Sequence, residues 1–135
     1  MLQKEVVDRI CAAPGNKQYG KLSIMTQYRC ATEKLFDVRP ESFDPPPKVT
    51  SAVIRLTPHA APPVTVNRFD LFEKVVAHAF SQRRKTLRNS LKILLSEGEI
   101  AQLGVDPGAR PETLPLEVFA SLSNHLSDKM PAPPP

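Results

Sequence analysis

The stretch ATEKLFDVRPESFDPPPKVTSAVIRLTPH (residues 31–59) holds two β-rich segments separated by three consecutive prolines. The second segment alternates between two sets of side chains, which are Ala52, Ile54 and Leu56 on one face and Ser51, Val53 and Arg55 on the other. Alternation with a period of two is typical of a β-strand, and consecutive prolines hold the backbone extended. The stretch therefore predicts two strands joined by a stiff, proline-rich loop.

The residues before this stretch predict helices. Residues 1–13 read as the end of a strand that runs into a short helix, and Leu22, Met25 and Tyr28 follow at helical spacing. Helix, strand, proline-rich connection and strand in this order resemble the closing part of an α/β unit. A sheet of two strands is rarely stable alone and leaves an open edge. Residues 1–60 are therefore predicted to be an incomplete α/β piece.

After a hinge at residues 61–63 the pattern becomes helical. An apolar stripe at helical spacing consists of Phe72, Val76 and Phe80, and would be continued by Leu87, Leu91 and Leu94. Two further short helices are predicted from EIAQLGV (99–105) and LPLEVFASLSNHL (114–126), the second with an inner face of Leu116, Phe119, Ala120 and Leu122. We expect a small helical domain over residues 64–128 and a disordered, proline-rich tail over residues 129–135.

One basic residue does not fit an unbroken helix through this region. Arg83 would lie at the edge of the apolar stripe, so either its side chain extends outward or the helix breaks between Ser81 and Thr86. We favour the break, since it would present Arg83, Arg84 and Lys85 from a turn at a helix N-terminus.

The same region carries a concentrated positive charge. Between Lys74 and Ser96 there are six basic residues and no acidic one, in a chain whose formal net charge is +4. On a continuous helix Arg84, Arg88 and Lys92 would stand at i,i+4 spacing, where like charges repel. A solvated face is the ordinary explanation of such a run, but a bound polyanion would relieve the repulsion. We interpret the run as a nucleic-acid-binding surface that contacts phosphates.

Phe43 precedes the proline triplet, and the residues alone leave two roles open for it. Its ring could be a hydrophobic plug beneath the loop, or it could be held rigidly enough to stack on an extruded base. Both roles use the same stiff loop, so the loop does not decide between them.

Other classes of protein are not supported by the composition. No apolar run approaches the roughly 18 residues of a membrane helix, and the charged N-terminus has no signal-peptide core, so a cytoplasmic protein without a membrane partner is expected. The two cysteines, Cys11 and Cys30, fit neither a disulfide framework nor a zinc site. There is no glycine-rich phosphate loop, nucleophile elbow or metal motif. The residues alone thus predict a binding surface, and no catalytic, cofactor-binding or metal-binding residue.

Five segments carry a resemblance to a known family. They are LQKEVVDRI (2–10), YGKLSIMTQY (19–28), FDPPPKVTSAVIRL (43–56), AFSQRRKTLRNSL (79–91) and GVDPGARPETL (104–114). In order and spacing they resemble the C-terminal half of the small-subunit ribosomal RNA adenine dimethyltransferases, the bacterial KsgA/RsmA family. The resemblance runs from Met1 to about Leu126, and the pairing of PPPKV-x-SAV with F-x-QRRK-x-x-RNSL is highly specific.

The resemblance implies a fold and an activity. Members transfer methyl groups from S-adenosylmethionine to N6 of two adjacent adenines near the 3′ end of small-subunit rRNA during ribosome assembly. The implied fold class is α/β plus α: the C-terminal remnant of a Rossmann-like methyltransferase domain over residues 1–60, then a helical rRNA-binding domain over 64–128. The family's cofactor loop and Asn-Leu-Pro-Tyr catalytic motif lie in the half that this chain lacks, so no catalytic residue and no bound cofactor are expected here.

The resemblance also assigns roles to individual residues. Phe43 matches the aromatic residue at the target-adenine pocket, which favours stacking over the plug. The rRNA contacts that it implies are Arg83, Arg84, Lys85 and Arg110, and Arg88 joins them on geometry and similarity together. The expected partner is small-subunit rRNA in the assembling small ribosomal subunit. Thr50 departs from the acidic residue frequent in the family, and we infer nothing functional from it.

Two alternatives from other classes stay open. A free-standing RNA-binding or assembly factor without catalysis predicts that residues 1–60 fold on their own and bury their sheet edge. A basic helical DNA-binding module would insert Arg84, Arg88 and Lys92 into the major groove and would give Phe43 no role. Exposed apolar edges on residues 1–60 would favour a portion of a larger enzyme over both.

Overall fold

The structure, a computed structural model, describes residues 1–82 and 84–130. Arg83 and the last five residues of the predicted tail lie outside the described residues. The strands and helices of the described chain are, in order, β1 (Leu2–Gln3), α1 (Lys4–Cys11), α2 (Lys21–Arg29), β2 (Cys30–Val38), β3 (Ser51–Pro58), α3 (Phe69–Phe80), α4 (Leu87–Ser90), α5 (Glu97–Gln102) and α6 (Leu116–Lys129). Lys129, which the sequence placed in the tail, is thus the last residue of a helix, because its ammonium group pairs with Glu99 on α5 at 2.8 Å.

The strands form one antiparallel sheet in the order β1-β3-β2. The long pair runs from Cys30 opposite Pro58 to Val38 opposite Ser51, with an irregularity in β2 between Lys34 and Phe36. The prediction of two strands around the proline triplet is therefore confirmed. The short β1 pairs with the start of β3 and supplies the third strand.

Helices α1 and α2 are joined by polar side chains. Gln27 Nε2 donates to the carbonyl oxygens of Ile10 and Ala12, both at 2.8 Å, and the Ser23 hydroxyl donates to the Arg9 carbonyl. The buried residues of α2 are therefore Ser23 and Ile24. Leu22, which shares helical spacing with Met25 and Tyr28, is exposed, because these hydrogen bonds turn the helix so that the position faces solvent.

A single apolar core includes residues from both predicted pieces. Its buried members come from helices α2 to α6 and from the connections between helices. Examples are Ile24, Phe72, Leu91 and Phe119. The Tyr28 ring on α2 lies 5.2 Å from the Phe72 ring on α3. Aromatic contacts at this distance add to the area that is buried, so the first two helices are fixed against the C-terminal helices.

The predicted break in the basic segment is confirmed. Helix α3 ends at Phe80 and α4 begins at Leu87, so the described residues between them, 81–82 and 84–86, form a turn. Beyond the turn, Leu87, Leu91 and Leu95 are buried at intervals of four and bind the following segment to the core.

The sheet region leaves large apolar side chains in solvent. The exposed residues of the strands and the proline-rich loop are Met1, Leu2, Leu35, Phe36, Val49 and Leu56, with Phe36 57% exposed. Apolar exposure of this kind marks an interaction surface more often than a finished domain surface. Exposed apolar edges on residues 1–60 were the feature predicted to favour a portion of a larger protein.

Candidate nucleic-acid interface

The basic turn is positioned by the chain that follows it. The Leu87 and Arg88 amides donate to the carbonyl oxygens of Ala109 (2.9 Å) and Pro107 (3.0 Å). These bonds satisfy the amide groups at the start of α4, which have no partner within the helix. Because Leu87 is fully buried as well, the turn has a fixed attachment at its C-terminal end.

Three basic side chains project from this region into solvent. Arg84 and Lys85 lie in the turn and Lys92 follows α4, and all three are exposed. In the described part of the chain none of them forms an ion pair with a carboxylate. The Lys85 amide donates to the Gln82 carbonyl at 3.0 Å, which holds the turn closed. Exposed cations fixed in this way are suited to contact phosphates.

Arg88 is placed differently from its basic neighbours. Its guanidinium group lies 3.3 Å from the Glu97 carboxylate, so the run is not free of acidic partners in three dimensions. Both side chains are largely exposed, and an exposed pair of this kind contributes little to stability. A phosphate could therefore replace Glu97 at small cost.

The row of like charges that one continuous helix would carry is not formed. Arg84 lies in a turn, Arg88 on the four-residue α4, and Lys92 in the turn after it, so no single helix carries the three. The reason is that the backbone follows the buried leucines and the carbonyls of residues 107–109 rather than one continuous helical path. The DNA-binding alternative thereby loses the long helix that it requires.

Arg110 is brought to the same region by the loop that precedes it. The loop carbonyls at Pro107 and Ala109 bond to the start of α4, and a side-chain carbon at Gly108 would stand only 3.1 Å from Arg88 Nη2. Arg110 itself is exposed and precedes a 3₁₀ turn (Pro111–Thr113), in which the Thr113 hydroxyl donates to the Arg110 carbonyl at 2.7 Å. Arg88 and Arg110 therefore stand on two contacting segments. Arg83 lies outside the described residues.

Phe43 lies on the proline-rich loop, in the sheet region of the chain. It follows a 3₁₀ turn (Pro40–Ser42), its amide donates to the Pro40 carbonyl at 3.1 Å, and its side chain is partly buried. Among the described residues, the aromatic ring pairs do not include it. Its role as a stacking residue stays a prediction.

A cluster behind α4 accounts for other charged side chains. Glu99 accepts hydrogen bonds from the Ser96 amide at 3.0 Å and from Lys129 Nζ at 2.8 Å, and pairs with His125 Nε2 at 2.9 Å. The Lys129 ammonium and the Ser96 amide hold the pKa of Glu99 at about 2. Lys129 and His125 are therefore occupied in joining α6 to α5 and are not counted as RNA contacts.

Two basic residues before the sheet, Lys17 and Lys21, were not predicted as site residues from the sequence. Lys17 and Lys21 flank the buried Tyr19 and line an open cavity together with Phe80 at the end of α3. Lysines at positions 17 and 21 on either side of an aromatic residue were the available signal, but the sequence does not show that this connection lies beside α3.

Across residues 1–82 and 84–130, no group of His, Cys, Asp and Glu is arranged to hold a metal ion. No helix in the same residues is long and apolar enough to cross a membrane.

The arrangement of strands and helices is that of a known class of enzyme structures. A dimethyladenosine transferase from Plasmodium falciparum superposes with a TM-score of 0.73 at 24% identity, over 94% of this chain and 55% of that one. The 23S rRNA methyltransferase ErmE gives a TM-score of 0.62 at 24% identity, over 93% of this chain and 52% of that one. At this identity the likeness establishes the fold, which is that of methyltransferases.

Sequence similarity then identifies the family. Residues 1–128 match the ribosomal RNA adenine dimethylase family, and the chain belongs to it. Proteins described as ribosomal RNA small subunit methyltransferase A are 56% identical in Laribacter hongkongensis, over 96% of this chain and 49% of the relative, and 56% identical in Pseudomonas aeruginosa, over 95% and 48%. The chain thus spans about half the length of the curated relatives that it matches.

Proposed function

We propose that this chain is the C-terminal half of a small-subunit rRNA adenine N6,N6-dimethyltransferase, which methylates two adjacent adenines near the 3′ end of 16S rRNA during ribosome biogenesis. Within that enzyme it supplies rRNA binding and part of the target-adenine pocket. The observation that carries the proposal is the fixed basic turn, where Arg84 and Lys85 are exposed and unpaired within the described residues.

The extent of the chain supports its assignment as one half of a larger enzyme. It matches relatives that are about twice as long, and its three-stranded sheet leaves side chains such as Phe36 and Leu56 in solvent. A free-standing assembly factor would be expected to cover these apolar groups. The rest of the methyltransferase sheet and its helices are the natural cover for them.

We assign different tasks to the two parts of the chain. Residues 1–60 would complete the methyltransferase domain and hold the Phe43 loop, and residues 64–128 would form the helical rRNA-binding domain. The apolar core that they share joins α2 to the C-terminal helices. The protein would act in the cytoplasm, on the assembling small ribosomal subunit.

The recognition step follows from charge and geometry. Arg84 and Lys85, with Arg88 and Arg110 on the neighbouring segments, would bind rRNA phosphates, and Arg83 is placed with them by family resemblance alone. Phe43 would stack on the adenine once it leaves its helix, since an aromatic face binds any unstacked base. The two contacts together would hold the adenine N6 toward the other half of the enzyme.

The residues present do not suit the cofactor that the family uses. S-adenosylmethionine supplies the transferred methyl group when bound, but the five glycines of this chain, at positions 15, 20, 98, 104 and 108, form no glycine-rich loop. We therefore assign no cofactor-binding residue and no step of methyl transfer to this chain. Methyl transfer belongs to the intact enzyme.

The test is a salt-dependent binding titration with a 3′-terminal small-subunit rRNA fragment and a duplex DNA of matched length. The Arg84→Ala/Lys85→Ala variant should bind the RNA more weakly. Its slope of log K against log salt should be shallower by about 1.4 to 1.8, because two fewer phosphates are neutralised. The control is Arg29→Ala/Arg55→Ala, which removes equal charge from exposed positions outside the basic run. Equal binding by all three proteins, or a preference for the DNA, would overturn the proposal.

A second arm of this experiment isolates Phe43. A fluorescent adenine analogue is placed at the target position of the RNA, and its quenching reports stacking. Phe43→Ala should reduce the quenching and weaken binding by about 1–3 kcal/mol, while Phe36→Ala, at an exposed strand position, should change neither. Identical quenching in both variants would remove Phe43 from the pocket.

A further inference from the structure

A cavity of about 590 Å³ opens beside the basic turn. It lies between α1, the start of α2 and the end of α3. Its lining includes Glu5, Arg9, Lys17, Lys21, Leu22 and Phe80. The volume falls in the range of small-ligand sites, roughly 300–1,000 Å³.

The charge of this cavity is positive. Arg9 pairs with Glu5 at 2.8 Å, and Lys21 lies 3.6 Å from Glu73, both between exposed side chains. Lys17 forms no ion pair with any residue of the described chain. Lys17 and the loosely paired Lys21 are therefore available to an anionic ligand.

The backbone that carries these lysines is fixed. The Tyr19 amide donates to the Asn16 carbonyl at 3.0 Å, and the Gly20 amide donates to the Ser23 hydroxyl at 3.1 Å. The Tyr19 ring is buried and meets the Phe80 ring edge-on, with 6.2 Å between centroids. Lys17 and Lys21 thus stand at defined positions around the wall formed by Phe80.

The cavity also adjoins the basic turn along the chain. Phe80 is the last residue of α3, and Arg84 follows it by four residues, so their Cα atoms are at most about 14 Å apart. Phe80 is only partly buried and packs against Phe119, with 5.7 Å between ring centroids. An RNA strand held at the turn could therefore reach an aromatic wall rimmed by lysines.

We propose that this cavity binds a single-stranded segment of the RNA that the basic turn holds, with Lys17 and Lys21 on its phosphates and Phe80 against a base. The inference rests on the proposed function and adds a second site to it. Single-stranded RNA fits better than a duplex, because an unstacked base can enter a cavity and lie on an aromatic ring.

The experiment compares two RNA probes, a blunt duplex and the same duplex with a single-stranded extension. The Lys17→Ala/Lys21→Ala variant should bind the extended probe more weakly, with a salt slope shallower by about 1.4 for two single-strand phosphates. Its affinity for the blunt duplex should match that of the parent. Lys17→Gln alone, at a side chain without an ion-pair partner in the described chain, should show half of the slope change.

The outcomes separate this site from the proposed function. If Arg84→Ala/Lys85→Ala weakens binding while Lys17→Ala/Lys21→Ala binds both probes as the parent does, the cavity site is refuted and the basic turn stands. If neither variant weakens binding, the proposed function falls and the cavity site falls with it. A loss on both probes by Lys17→Ala/Lys21→Ala would mean a general charge effect, which Arg29→Ala/Arg55→Ala should then reproduce, and would overturn the single-strand assignment.

Discussion

Leu91 offers a direct test of how the segment after the basic turn is held in place. Its side chain is 0% exposed, and its carbonyl oxygen accepts from the Leu94 and Leu95 amides at 2.8 Å. Leu91→Ala removes three buried carbon atoms, a loss of about 2.4 kcal/mol at roughly 0.8 kcal/mol each. The cavity that is left adds to this loss, so we expect a total of about 3–4 kcal/mol, within the range of about 2–5 for such changes.

Ile93 provides the matched control two residues further on. Its side chain is 72% exposed, so Ile93→Ala should change the free energy of unfolding by less than about 0.5 kcal/mol. Urea unfolding followed by circular dichroism measures both. For Leu91→Ala the midpoint should fall by about 1 to 4 M, given urea slopes of roughly 1–3 kcal/mol/M. If the two variants unfold at the same urea concentration, Leu91 does not hold this segment to the core and the reasoning is refuted.

Three further predictions concern the helices behind the turn. Gly104 has a φ of +78°, so Gly104→Ala should destabilise by about 1–2 kcal/mol. Gly98→Ala in α5 should instead stabilise by about 0.5–1 kcal/mol, because the added Cβ would meet only Ser96 Oγ, at 4.0 Å; urea midpoints that move in the same direction would contradict this. Ser96→Ala removes the acceptor of the Glu99 amide bond of 3.2 Å and should cost about 1 kcal/mol by the same measurement; an unchanged midpoint would contradict it. The pKa of Glu99 is about 2 in the folded chain against an ordinary 4.5, so its stabilisation is present above pH 4.5 and is lost as the pH falls toward about 2; Glu99→Gln should flatten the dependence of the unfolding midpoint in that window, and a steeper dependence would refute the assignment.

Much of the secondary structure could be predicted from local pattern. Three patterns predicted these elements: the alternation in β3, the proline triplet after Phe43, and the helical spacing in α3 and α6. Each pattern extends over only a few residues, so it can be recognised in the sequence alone. The break after Phe80 was also predicted, because an unbroken helix would place Arg83 at the edge of the apolar stripe. Patterns of this kind depend on neighbours in the chain rather than on contacts between distant segments.

Positions that depend on distant contacts were not predictable. Leu22 has the spacing of a core residue, yet it faces solvent because Ser23 and Gln27 bond to the end of α1. The Glu97 carboxylate pairs with Arg88 although it is nine residues away in sequence. The absence of acidic residues within the basic run therefore did not predict this pair. Both features depend on hydrogen bonds and ion pairs between separate segments. The spacing of residues in the sequence does not show which segments will form them.

The sequence by itself determined the strands, the principal helices, the excess of positive charge and the family resemblance, because each of these is written in residue types and their spacing. Only the tertiary structure decided how the charge is presented. The buried leucines at positions 87, 91 and 95 and the carbonyls of residues 107–109 replace a long basic helix by a fixed turn. Packing of the Tyr19 ring against Phe80 brings Lys17 and Lys21 to the cavity at the end of α3. The physical reason is that burial of apolar side chains and satisfaction of backbone amides act across the whole fold, and the polar side chains take the positions that this packing leaves to them.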